Sequence, residues 1–445
     1  MGYTSKHGRR PSEYASKSSH SHIINDKSLK EFLNQCNLPK LAADVKLDDC
    51  DRLTHKPIVT NPIRNVVAID GGYTEVAVQT GFPSSTVCFF QIGALIFSID
   101  DLEGLDKQPF IDPEDMAKLK QIQRLKFTLP VRNVQVKTEG TLVNSVRRTI
   151  YDFFRQKIDN DELITTLCWF IFQEYDTSIP TYNLASCPIC GNSNIPMHRN
   201  DMTNKYTFNC NHCGGELFLT DVFRLHEVID EELGAGGILG YLINTLEQII
   251  LVHLIRVILR IKPDLLNEML FIKDGPLAFF GQTANMYKPM RSLVNYLFKN
   301  HNLYLAGLEK SGSFVEHADE ITEKLDDGTV LILSNDYIYK YILPGYPDPT
   351  RPYGATTYYS NKLIFKTNSG GMYVVTLPTS NNLVNPKEAD FRNLDVILTN
   401  IEKLKCDMYD SALIPVALAN KLVSLADHPS SGILQKFAKG AIYSR

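Results

Sequence analysis

The sequence predicts an α/β fold in which one open mixed sheet carries helices on its faces. Three observations point there. Two short apolar runs, Val66-Val67-Ala68-Ile69 and Met269-Leu270-Phe271-Ile272, lead into Asp70-Gly71 and Lys273-Asp274-Gly275, as buried strands that stop at a turn would. A long amphipathic segment from about Ile238 to Ile261 reads as a helix that ends before Pro263. The tract 328–378 is rich in strand-forming residues, with Ser369-Gly370-Gly371 as a hairpin turn.

The elements follow in order. Residues 1 to about 25 are poor in apolar side chains, which predicts a flexible segment. Asp26-Lys27-Ser28 is a helix start for a short stretch carrying Leu29, Phe32 and Leu33. From Val66 the runs 66–70, 73–79 and 86–98, broken at Gly71-Gly72 and at 81–85, predict a meander of three antiparallel strands. Residues 101–135 are mixed and charged. Residues 141–157 have helical periodicity through Leu142, Val146, Ile150 and Phe153 or Phe154. A cysteine module interrupts at 187–220. Beyond the 238–261 helix come a strand at 269–274, a helix near 290–299 and a strand near 303–308. Strands at 330–333, 358–366 and 372–377 and helices at 387–405 and 415–427 complete the chain. No internal repeat is visible.

At 445 residues the chain has room for two or more domains, or for one large domain with insertions. Its 44% hydrophobic and 22% charged content is that of a soluble globular protein, and a net charge of -4 excludes a wholly basic nucleic-acid binder while leaving room for a local basic groove. The polar N-terminus lacks a secretory signal, and Lys6 stands where a myristoylation signal needs Ser or Thr. The most apolar stretch, Ile249 to Ile261, contains His253, Arg256 and Arg260 and is too short for a bilayer. Cys36, Cys50, Cys88, Cys168 and Cys406 show no pairing logic. A cytoplasmic protein without a membrane partner is expected.

The chemistry begins with Asp70 and Asp274. Two strand-end carboxylates brought together would suit Mg²⁺ or Mn²⁺, which prefer oxygen ligands and keep positions open for water and phosphate. The competing reading is two ordinary turns, because Asp-Gly is a common turn dipeptide. Glu247 lies on the long helix among apolar neighbours, where an acid is costly unless paired or bound to a cation; otherwise it belongs to a solvated stripe. Three such carboxylates could hold one or two ions that act on a scissile phosphate. Lys310, in the turn Gly307-Leu308-Glu309-Lys310-Ser311-Gly312, either contacts phosphate or is a surface lysine.

Cys187-Pro188-Ile189-Cys190 and Cys210-Asn211-His212-Cys213 make a C-x₂-C-x₁₉-C-x₂-C pattern. Four thiolates at that spacing close a tetrahedral Zn²⁺ site, with Gly191, Gly214 and Gly215 supplying tight turns. His198 and His212 are not needed as ligands. The module either staples a long insertion or touches DNA or a partner through His198, Arg199, Lys205, Tyr206 and Phe208. Gly234 to Gly240 follows no strand and has no Walker lysine, so it reads as a helix-entry linker. No Ser-His-Asp or Cys-His arrangement stands out. Tyr358 and Tyr359 suit strand packing, and the apolar residues from Ile249 to Ile258 suit a helix core or a dimer surface.

The DGG strand, the helix bearing Glu247, the KDGPL strand and the GLEKSG turn together resemble the NurA family of prokaryotic DNA nucleases. The YYSNKLIFK and MYVVTLP strands and the IPVALANKL helix are similar too, so the resemblance covers roughly 60–427 without the cysteine insertion. It implies an RNase H-like mixed sheet flanked by helices, into which the cysteine module would be inserted as a small zinc ribbon. It also implies a Mn²⁺- or Mg²⁺-dependent nuclease acting on DNA, in end processing or anti-phage defence, and a homodimer working with a HerA-type hexameric ATPase. Asp70, Glu247 and Asp274 would be the metal carboxylates. The implied division is a flexible N-terminal segment with a short helix over 1–60, the first part of the nuclease domain over 61–180, the ribbon over 181–225 and the second part over 226–445. One departure stands out: Asn420 occupies a place where family members often carry histidine, and a neutral amide can ligate a cation but cannot take up a proton. Asp427 and His428 are possible substitutes, or ordinary helix-end residues. The alternative function is a non-catalytic RNase H-like module that binds nucleic acid or an ATPase.

Overall fold

Val66 and Ala68 pack on one face of a single large sheet while Val67 and Ile69 pack on the other, so the apolar run is a strand covered on both sides. A computed structural model describes residues 24–47, 52–79, 85–100, 121–158, 161–406, 412–425, 433–434 and 436–438. In chain order the strands of this sheet are β1 (Arg52–Thr54), β2 (Asn65–Gln79), β3 (Ser85–Ser98), β4 (Gln121–Arg132), β5 (Met269–Asp274), β6 (Tyr304–Glu309), β7 (Thr329–Ile332), β8 (Ser360–Lys366) and β9 (Met372–Pro378). Their spatial order is β1-β7-β8-β9-β6-β5-β2-β3-β4. β5 runs parallel to β2 and to β6, and the remaining pairs are antiparallel.

The longer helices are α1 (Lys27–Gln35), α2 (Leu142–Phe154), α3 (Leu163–Ile171), α4 (Leu239–Ile261), α5 (Tyr287–Asn300), α6 (Ser313–Glu320), α7 (Leu394–Lys403) and α8 (Ile414–Val423). α2 to α5 share a core with Val67, Ile69 and Phe271. α7 and α8 cover the opposite face through Ile397, Ile401, Val416 and Leu418, against Val66, Leu270 and Leu308. α6 packs on β7, β8 and β9 through Phe314, Val315 and Ala318. The segment Gly236–Ile261 is long and apolar enough to cross a membrane, yet 67% of its most apolar window is buried inside the fold, as in a core helix.

Two expectations change. β2 does not break at Gly71-Gly72; it stays paired with β3 through Gly71↔Ile92 and Gly72↔Gln91. The glycines matter for clearance instead. A Cβ at Gly71 would lie 2.5 Å from Ile243 Cδ1 of α4, and one at Gly72 would lie 2.5 Å from the Val423 carbonyl of α8. The meander's third strand is therefore β4, from the tract that looks mixed and charged, although Leu125, Phe127, Leu129 and Val131 alternate through it. Helix α3 is not among the expected elements; it is short and buried over nearly all its length, which leaves little polar spacing to mark it. α1 does start at Asp26, whose Oδ1 accepts the Ser28 amide at 2.8 Å, but Leu29, Phe32 and Leu33 are exposed. Most of the segment expected to be flexible lies outside the described residues.

The cysteine segment forms two hairpins, 181–186 with 193–198 and 207–209 with 216–218. It is not a separate bead. Leu184, Ile195, Phe208 and Phe218 join the core around α2 and α3, and Tyr151 stacks on Phe218 with centroids 4.5 Å apart. Arg147 and Asp221 make a buried ion pair at 2.7 Å in the same interface.

Candidate active site

β5 delivers its acid as the sequence suggests. It ends at Asp274, and Gly275 turns the chain with φ +85, a conformation that favours glycine. β2 presents Asp70 mid-strand, 6% exposed, because the strand runs on past it. The Gly71 amide donates to Asp70 Oδ1 at 2.8 Å, while Asp70 Oδ2 is buried with no hydrogen-bond partner. Glu247 reaches the same edge from α4, 6% exposed, and Lys273 Nζ pairs with its Oε2 at 2.8 Å. Lys310, just past β6, pairs with Asp274 Oδ2 at 2.6 Å.

Asp70, Glu247, Asp274 and Lys310 line one recess of about 640 Å³. Burial, reinforced by the charges of Asp274 and then Glu247, pushes the Asp70 carboxyl up to about 8. Burial also raises Glu247, with Lys273 opposing the shift. Two acids thus have an ammonium partner, while Asp70 keeps an orphaned oxygen and feels the Lys310 charge without bonding to it. The all-oxygen donor set fits a hard divalent cation there. The three carboxylates do not close on a common point: among the described residues, only the cysteines bring three or more ligand atoms within 4.8 Å of one another.

That cysteine set is Cys187, Cys190, Cys210 and Cys213. The Cys187–Cys213 and Cys190–Cys210 sulfurs are each 3.9 Å apart. The Ile189 and His212 amides point at the Cys187 and Cys210 sulfurs, each at 3.4 Å, and Gly191 and Gly214 turn the knuckles at φ +72 and +71. Four sulfurs so placed could hold tetrahedral Zn²⁺.

Asn420 is not brought to the carboxylates in this way. It lies exposed on α8 and does not line the recess. Asp427 and His428 lie outside the described residues.

The sequence reading missed the lysine that holds Glu247 and the far wall of the recess. Lys273 sits in a strand whose other members are almost wholly apolar, a placement that itself demands an acidic partner. The far wall comprises Phe280, Phe314, Leu343, Tyr353 and Tyr358. Behind it Lys362, 2% exposed, pairs with Glu309, and burial pushes its ammonium down while Glu309 opposes the shift. Tyr358 packs as expected but also lines the site, and Tyr359 is core.

No family model matches this chain, and no curated protein does. Solved structures that align along its length include two of NurA nucleases. The crystal structure of the NurA nuclease from Sulfolobus solfataricus is 8% identical, with 96% of each chain covered and a TM-score of 0.35. A crystal structure of NurA with manganese is 11% identical, with 94% of each chain covered and a TM-score of 0.28.

Proposed function

We propose that this protein is a divalent-metal-dependent DNA nuclease of the NurA kind, hydrolysing phosphodiester bonds. The observation that carries the reading is the buried, unpartnered Oδ2 of Asp70 in a recess shared with Glu247 and Asp274. A meander β2-β3-β4 followed by β5 and β6 parallel to β2 supports an RNase H-like core interrupted by the 181–225 insertion.

Asp70, Glu247 and Asp274 would hold Mn²⁺ or Mg²⁺, and such an ion supplies Lewis acidity that activates water and neutralises charge on a phosphate. The chain's own groups do the rest. The Gly71 amide and Lys273 fix Asp70 and Glu247 in place before substrate arrives. Lys310 holds a cationic charge beside Asp274 and meets a phosphate oxygen as a point donor. Burial of the carboxylates strengthens every charge interaction in the recess. The four cysteines would bind Zn²⁺ as a staple for the insertion. We further propose a cytoplasmic homodimer that works with a HerA-type hexameric ATPase in DNA-end processing or defence, on the sequence resemblance alone.

The test is incubation of the purified chain with linear, circular and single-stranded DNA plus Mn²⁺, with and without such an ATPase, beside Asp70→Ala and Asp274→Ala. Cleavage by the wild type that both substitutions abolish is expected. Absence of cleavage in every condition, or cleavage untouched by both substitutions, would sink the assignment.

A further inference from the structure

We propose that the aromatic end of the recess is a nucleobase slot, taking an unpaired base of the strand whose phosphates meet the carboxylates. The inference rests on the nuclease reading. Phe280 and Tyr353 are half-buried and flank the buried ring of Tyr358, with centroids 5.8 and 5.5 Å from it. They present aromatic surface to the same recess that Asp70, Glu247 and Asp274 line. Aromatic faces beside a phosphate-handling site suit bases, because every base has a π-face to stack.

The wall is built, not incidental. Gly354 has φ +64, and a Cβ there would lie 2.2 Å from the Tyr358 ring, so only glycine leaves room for that ring. Arg291 Nη2 donates to the Tyr358 carbonyl at 2.5 Å, fixing the residue from behind. Behind the wall, buried Lys362 bonds Glu309 and sets its Nζ 4.1 Å from the Phe314 centroid and 4.7 Å from that of Tyr358, bracing both rings from the side away from the recess. An aliphatic group would fill the slot without using it.

The two ends of the recess are tied by one step of chain. Glu309 bonds Lys362 on the aromatic side, and Lys310 bonds Asp274 on the carboxylate side. Successive residues are about 3.8 Å apart at Cα, so slot and carboxylates hold a fixed relation at the end of β6. A base paired in a duplex has its faces covered by its stacked neighbours; an unpaired base can turn into the slot. The slot therefore favours single strands over duplex.

The experiment measures binding of single-stranded oligonucleotides in EDTA, where no cleavage occurs. One oligonucleotide carries all its bases, and another of the same length carries none. Wild type is expected to prefer the base-bearing strand by about tenfold or more, the scale of one base–aromatic stack. Phe280→Leu and Tyr353→Leu keep apolar bulk but lose the ring, and each should remove most of that preference while leaving affinity for the abasic strand unchanged. Phe280→Tyr and Tyr353→Phe should retain it. Equal affinity of wild type for both strands overturns the slot, as does a preference that survives both leucine substitutions. Mn²⁺-dependent cleavage is scored separately. Cleavage by an enzyme indifferent to bases overturns the slot alone; base-dependent binding without cleavage supports the slot and removes the nuclease reading.

Discussion

Lys273 Nζ lies 2.8 Å from Glu247 Oε2, and both side chains are withdrawn from solvent at one end of the sheet. The pair joins α4 to β5 and holds the acid at the recess wall. Removing the lysine leaves a buried carboxylate without a partner, which typically costs about 3–5 kcal/mol. Lys273→Met is expected to lose stability on that scale in urea unfolding, and Lys273→Met with Glu247→Gln should regain most of it. A single substitution costing under about 1 kcal/mol would show that Glu247 is held some other way.

Asp70→Asn and Asp274→Asn keep shape and remove one ligand charge each. Metal stabilisation of a transferring phosphate is worth several kcal/mol, so Mn²⁺-dependent cleavage should fall by about 10³-fold or more. DNA binding in EDTA should be little changed. Measured cleavage within tenfold of wild type would remove these acids from the metal set.

The two glycines of β2 meet different neighbours and should differ when substituted. Gly72→Ala puts a Cβ 2.5 Å from the backbone carbonyl of Val423, so α8 must shift; overpacking of that kind costs about 1–3 kcal/mol. Gly71→Ala presses on the flexible end of Ile243 and lies 3.2 Å from Glu247 Oε1. Melting should show Gly72→Ala as the more damaging to stability, and cleavage assays should show Gly71→Ala disturbing the site at smaller thermal cost.

His317 gives a dependence of stability on pH. It is buried, bonds the Tyr337 hydroxyl through Nε2 at 2.8 Å, and burial pushes it down from 6.5 to about 4. The folded state therefore favours neutral imidazole. Its contribution is complete above about pH 6.5 and is lost as pH falls from there toward 4, reaching about 3 kcal/mol at most. His317→Gln should flatten that part of the curve relative to wild type. Parallel curves for the two proteins between pH 7 and 4.5 would refute the assignment.

Zinc analysis of the purified chain should find one ion per chain, lost in Cys187→Ser with Cys190→Ser. Because Phe208, Phe218, Cys187 and Cys210 share the core of α2 and α3, the loss should lower the melting temperature of the whole protein. An unchanged melting temperature would mean that the segment is staple to itself alone.

Much of the fold is legible where burial is one-sided or periodic. The β5 strand, α2, α4 and the β8–β9 hairpin all announce themselves, because apolar spacing and turn residues agree. The continuity of β2 is not legible, since Gly71-Gly72 looks like a break until helices on both faces are seen to need the space. α3 hides for the opposite reason: it is buried on nearly every side and has no polar stripe. At the site, the sequence marks Asp70, Glu247, Asp274 and Lys310, which do share one recess. It does not mark the aromatic wall, whose residues come from distant segments and look like packing in each.

The parallel pairing of β2 with β5 has a consequence in time. Val66 bonds in register with Leu270, and the whole insertion and α4 lie between them. The carboxylate recess has no local precursor, for Asp70 must wait for Asp274 to leave the ribosome. At about 5–20 residues per second that interval is on the order of ten to forty seconds. If the recess is the proposed nuclease site, a growing chain would be harmless to nucleic acid near it, and hydrolytic capacity would arrive only when the two strands close.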